Sequence, residues 1–197
     1  MAVIDLDLSK KYTYADYLRW TIQERLELIR GKVFKMSPAP NRYHQGLVHR
    51  LDGELYVYLK GKTCQAFPAP FDVRLPRKPK DTGDQDIITV VQPHICVVCD
   101  PEKLDTRGCI GAPDIVVEIL SPGNNENEVK IKYDIYEESG VKEYWMVSPQ
   151  DKIFWQYVLN NEGHFFATKP LTVSDALITP ILPGFKLNME ELFQGIT

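Results

Sequence analysis

Gly111-Ala112-Pro113-Asp114-Ile115-Val116-Val117-Glu118-Ile119-Leu120-Ser121-Pro122 is the stretch whose reading decides the fold. Its apolar run predicts a strand from Asp114 to Leu120, ended by Ser121-Pro122-Gly123-Asn124-Asn125. A second apolar run, Val90 to Cys99, predicts another strand. A loop near residues 100 to 112 joins the two, which suggests antiparallel pairing. With Cys99 opposite Pro113, His94 falls opposite Glu118. Facing side chains have Cβ atoms ~5 Å apart, so one metal ion could reach both. A one-residue slip would undo the pairing.

Glu118 interrupts Ile115-Val116-Val117 and Ile119-Leu120. A carboxylate there costs stability unless it is paired or bound to metal; otherwise the strand turns a polar face to water. Asp114 lies on the same strand face but ~13 Å away, at ~3.3 Å per residue. It reads as a structural or second-shell carboxylate, or as part of a neighbouring subsite.

Working outward, Glu126 to Ser139 predicts a helix that stops at Gly140. On its wheel Lys132 borders the apolar face, which suits either a snorkelling side chain or a catalytic ammonium. Val141 to Val147 reads as a strand. Ile153 to Leu159 and His164 to Ala167 read as a hairpin around Asn160-Asn161. A short last helix spans Met189 to Phe193. Upstream, Thr13-Tyr14-Ala15-Asp16 has capping-box spacing for a short helix. Leu26 to Met36 alternates around Arg30-Gly31 as a hairpin that carries Glu27. Pro38, Pro40 and Asn41 break the chain. His44 to Lys60 repeats leucine at steps of four, an amphipathic helix opened by His44. That histidine could bind an anion, orient a water or cap the helix. Gln65 to Leu75 is strand-like, interrupted by Pro68 and Pro70. Arg77 to Asp84 is a polar loop. This order predicts an α/β chain, residues 1–197 as one domain, in which helices flank a mixed sheet with added N- and C-terminal hairpins.

The 197 residues, 44% of them apolar, suffice for a sizeable core. Net charge is −4, so duplex DNA contact would need a local basic patch; Arg74, Arg77, Lys78 and Lys80 supply one. Met1 to Asp5 carries no secretory signal, and no segment is apolar enough for a membrane span. The four cysteines read as free thiols in a reducing cytoplasm. Cys96 and Cys99 resemble half a zinc site, but strand alternation sends them to opposite faces.

The motifs carry a resemblance. Glu27-Leu28-Ile29 with Gly31, Pro38-Ala39-Pro40 before His44, and Pro70-Phe71-Asp72-Val73-Arg74-Leu75 belong to it. So do Val91-Gln92-Pro93, Gly111 to Pro122, Lys132 with Tyr136, Gly140-Val141 with Glu143-Tyr144-Trp145, and Leu182-Pro183-Gly184-Phe185. Together they resemble the Uma-two family of endonucleases, over nearly the whole chain. The resemblance implies a restriction-endonuclease-like core of the PD-(D/E)xK superfamily and a metal-dependent endonuclease acting on DNA. Glu118 would be the metal carboxylate and Lys132 a migrated catalytic lysine, since Leu120 holds the usual lysine place. The family has aspartate after Gln-Pro, where this chain has His94. The implied metal pair is thus Glu118 and His94, with magnesium or manganese as cofactor; imidazole suits manganese better. Glu27 and His44 complete the candidate catalytic set. The rival is a catalytically silent nucleic-acid-binding or protein-interaction module on the same fold. Exposed hairpins leave a homodimer open.

Overall fold

The computed structural model describes residues 6–21, 24–36, 41–121 and 126–196. The readings at Met1 to Asp5, Pro38, Pro40 and Pro122-Gly123-Asn124-Asn125 lie outside them.

The N-terminal capping box forms: Thr13 and Asp16 exchange side-chain and backbone hydrogen bonds and start α1 (Tyr14–Tyr17). β1 (Leu26–Ile29) and β2 (Lys32–Lys35) make the first hairpin. Its turn residues Arg30 and Gly31 both have positive φ, the geometry that matches a two-residue turn to strand twist. Asn41 caps α2 (Arg42–Leu59) by accepting the N–H groups of Tyr43 and His44. β3 (Gln65–Pro68), β4 (Val73–Arg74), β5 (Val90–Val91) and β6 (Ile95–Val98) follow. Then come β7 (Leu104–Asp105), β8 (Gly108–Ile110), β9 (Ile115–Ile119) and α3 (Glu126–Ser139). The chain continues through β10 (Glu143–Ser148), β11 (Ile153–Leu159), β12 (Phe165–Ala167), β13 (Ala176–Ile178), β14 (Lys186–Asn188) and α4 (Met189–Phe193).

The central sheet has the order β12-β11-β10-β9-β6-β3. β9 and β10 run parallel, joined across α3 as parallel neighbours require, and the other pairs are antiparallel. A second sheet, β2-β1-β5-β4-β8-β7, carries the N-terminal hairpin. One face of the central sheet packs Ile115, Val117 and Ile119 against Leu47, Leu51, Leu55 and Leu59 of α2 and against the C-terminal segment. Burying each leucine contributes ~1.5–3 kcal/mol. The other face packs Val116 and Tyr144 against Ile135 and Tyr136 of α3. Because β9 alternates, Glu118 points to this second face.

The register of β6 on β9 pairs Ile95 with Val117 and Val97 with Ile115, the pairing that sets His94 opposite Glu118. The expected single strand from Val90 to Cys99 is instead two strands in two sheets. Pro93 has no N–H for a ladder, and the chain bends there. That break frees the Gln92 N–H for the Glu27 carboxylate at 2.9 Å and swings His94 toward the α2 terminus.

The cysteine reading needs correction. Cys64 and Cys99 flank the β3–β6 pair and form a disulfide, while Cys96 and Cys109 are free and buried. The expected opposite facing of Cys96 and Cys99 holds: they pack into different clusters. The hairpin β13–β14 was not foreseen, because Ala176–Ile178 and Lys186–Asn188 are three residues each, too short for a period to show. No helix among the described residues is long and apolar enough to cross a membrane.

Candidate active site

Glu118 is 4% exposed, and its apolar neighbours on β9 leave it dependent on partners. It has them. Oε1 accepts from Lys132 Nζ and from the Tyr136 hydroxyl, both at 2.8 Å. Oε2 lies 2.5 Å from His94 Nδ1. Lys132 and Tyr136 are four residues apart on α3, so both project from one helix face onto the sheet. The Lys132 ammonium also reaches Glu27 Oε1 at 3.0 Å, bridging the two sheets. Burial pushes the Glu118 carboxyl up, but Lys132 and His94 outweigh it and hold it below the usual carboxylate range. Burial lowers the Lys132 ammonium, and the two carboxylates more than reverse this. Tyr136 is pushed well up by burial first and then by Glu118, so it stays a neutral donor.

His44, in the first turn of α2, extends the chain of contacts. Its Nε2 lies 3.1 Å from the Ile119 carbonyl and 2.8 Å from His94 Nε2. Burial, then His94, lowers its pKa to about 4, so it is neutral at pH 7. Hydrogen-bond logic assigns the protons. The carbonyl only accepts, so His44 Nε2 carries hydrogen and shares it with His94 Nε2. His94 therefore carries its own proton on Nδ1 and donates it to ionised Glu118. The Ile119 N–H, 3.3 Å from that nitrogen, is left as a contact. His44 Nδ1 is buried without a partner.

This arrangement tests the expected metal pair. Both His94 nitrogens are engaged, Nε2 with His44 and Nδ1 with Glu118, so neither offers a free lone pair to an ion. Among the described residues, no three His, Cys, Asp or Glu side chains are grouped to hold an ion. As arranged, the residues do not fit magnesium; His94 would have to release His44 or Glu118 first.

The cluster forms the floor of a cleft of about 190 Å³ between the first hairpin, α2 and α3. Arg25 and Lys35 line it as well. Other expected site residues lie elsewhere. Asp114 accepts from the Cys99 N–H at 2.7 Å and from Lys142 at 2.6 Å, and touches none of the cluster, so its bonds are structural. Arg74 is corrected outright. It is 1% exposed, bonds Asp105 at 2.6 Å and the Cys109 carbonyl, and cannot meet a phosphate. Arg77, Lys78 and Lys80 are exposed but line no part of this cleft. Tyr136, Gln92 and Arg25 were missed as site residues. The four-residue step from Lys132 could have flagged Tyr136; Arg25, which bonds Gln92 at 2.9 Å, has no signal in the sequence.

The fold is shared with the crystal structure of a "putative nuclease belonging to DUF820" from Anabaena variabilis. The TM-score is 0.72 at 18% identity, covering 94% of this chain and 99% of that one. No curated protein matches. The architecture, a mixed sheet flanked by helices with its acidic cluster where β6 meets β9, is restriction-endonuclease-like. A family model matches residues 14–190, and the chain belongs to the Uma2 family, described as "Putative restriction endonuclease".

Proposed function

We propose that the protein hydrolyses phosphodiester bonds of DNA in this cleft. The observation that carries the reading is Lys132, held between two buried carboxylates at the floor of an open cleft, in a chain of this family. Lys132 would donate to a non-bridging phosphate oxygen and stabilise the charge that grows there. Tyr136 and His94 keep Glu118 ionised and oriented. A carboxylate held this low is a poor proton acceptor, so its part is electrostatic.

Glu27, Glu118 and Lys132 sum to one negative charge, which repels a phosphodiester. Productive binding therefore needs a further cation. A divalent ion would supply that charge and an activated water. Manganese, which accepts nitrogen donors, is expected ahead of magnesium. No step is assigned to it, because His94 must first give up a bond.

The doubly engaged His94 favours a second reading, a silent nucleic-acid-binding or protein-interaction module. One assay separates the two. Plasmid and single-stranded DNA are incubated with the protein in manganese, in magnesium and in chelator, beside Glu118→Gln. Cleavage by the wild type that the variant lacks supports the nuclease. Intact DNA under every condition establishes the silent module.

A further inference from the structure

We infer that the cleft takes an unpaired nucleotide, with its base laid against an apolar wall beside Lys132, so that the substrate class is single-stranded or frayed nucleic acid. The inference rests on the phosphodiesterase reading and goes beyond it. Three elements turn half-buried apolar side chains into the cleft: Phe34 and Met36 from the first hairpin, Val48 from α2 and Ile131 from α3. They adjoin Lys132, where the phosphate is expected.

Charge argues the same way. The cleft is lined by the cations Arg25, Lys35 and Lys132 and by the anions Glu27, Glu118 and Glu128. These cancel. Lys35 is further paired with Glu24 at 3.0 Å, and Arg25 is bonded to Gln92. A duplex is gripped mainly through many phosphate contacts, and a balanced cleft offers no such track. Binding must draw on the apolar wall, and the group of nucleic acid that suits such a wall is the face of a base. In a duplex that face is stacked away and is exposed only by flipping, at a free-energy cost. The volume of about 190 Å³ is below the ~300–1,000 Å³ of ordinary small-molecule sites, which suits one flat group.

The test is fluorescence anisotropy with the full-length wild type in chelator and low salt. Three labelled probes of equal length are compared: a single strand, its duplex, and a fully abasic strand. The single strand is expected to bind at least roughly tenfold tighter than either of the others, the scale of one stacked base. Phe34→Ala and, separately, Met36→Ser should each remove most of that preference, with thermal melts checking that they fold. Equal binding of the abasic strand, or equal or tighter binding of the duplex, overturns the inference while leaving the nuclease reading intact. Binding of none of the three overturns the inference, whereas the nuclease reading, which draws on a further cation, is decided by the cleavage assay.

Discussion

Glu118 and Glu143 are buried glutamates on adjacent strands of one sheet, and they point to opposite faces. Glu118, on β9, faces α3; Glu143, on β10, shares its face with Trp145 and Val147. Their partners differ in kind. Glu118 is met by an ammonium, an imidazole and a phenol at the floor of a cleft. Glu143 is fully enclosed, and its oxygens accept from the Trp145 indole at 2.8 Å, Gln156 at 2.9 Å and the Thr179 hydroxyl at 2.7 Å. All three donors are neutral. Neutral donors satisfy a carboxylate in place and tie the C-terminal segment to the sheet. A shared ammonium leaves one that can trade partners when a charged ligand arrives. Two buried carboxylates thus differ in their donors and in their opening: Glu143 is a structural lock, and Glu118 is the one that lines a cleft.

The largest effect expected is on activity. Glu118→Gln should lower cleavage per folded molecule by roughly a thousandfold, the scale of losing one preorganised charged group, and cost less stability than Glu143→Ala, because Lys132 keeps Glu27. Glu143→Ala should do the reverse. It strands three buried donors at ~1–3 kcal/mol each, and at the lower part of that range stability should fall by about 3–5 kcal/mol in sum. At ~2–4 °C per kcal/mol for a chain of this size, the melting temperature should drop by about 10 °C. Turnover per folded molecule should not change. Comparable activity losses in both variants would erase the distinction.

Much of this was legible in the sequence, and for identifiable reasons. Ile115 to Ile119, the leucine steps of α2 and the stop at Gly140 are local patterns, and each element stands where the pattern puts it. The facing of His94 and Glu118 followed from two strands and one loop. Glu143 stands in a motif of the resemblance, but its role as a lock leaves no local trace, because its partners Gln156 and Thr179 come from distant segments. The same blindness affected Arg74, which looked like a phosphate contact. Its burial depends on Asp105 and on the parallel pairing of β4 with β8, neither visible along the chain. Pairings between segments far apart leave no periodic trace.

Lys132→Met sharpens the contrast through pH. In the wild type, Glu118 titrates below its ordinary value of 4.5. Its pairing therefore adds stability above about pH 4.5, and this fades as pH falls through the folded pKa. Without the ammonium, Glu118 loses the largest cause that opposes its burial, and its carboxyl rises. The variant should lose about 2–3 kcal/mol at pH 7.5, somewhat under a fully buried pair because Lys132 is 18% exposed. The loss should shrink by pH 5.5, as the raised Glu118 carboxyl takes up a proton there. Paired thermal melts at the two pH values check this. A deficit equal at both would mean that the ammonium acts as packing and not as charge.

His94→Asp probes the smallest effect, and one confined to the Glu118 face. The substitution removes the imidazole held between His44 and Glu118 and sets two carboxylates across the β6–β9 pair. Without a cation they repel, so the variant should be less stable than the wild type at neutral pH and recover on acidification. Their oxygens are hard donors, and the space vacated by the imidazole ring gives room for an ion and its waters. Magnesium should then bind the folded protein and stabilise it by RT ln(1 + [L]/Kd), about 1.4 kcal/mol at ten times Kd. That corresponds to roughly 3–5 °C. The wild type should shift less, since both His94 nitrogens are occupied. Glu143→Ala combined with His94→Asp should show the same magnesium shift from a lower starting temperature, because the two clusters lie on opposite faces and share no partner. Melting curves with and without magnesium check all three proteins. An equal magnesium shift in the wild type and in His94→Asp would show that His94 is free to turn, and would return it to the ligand set.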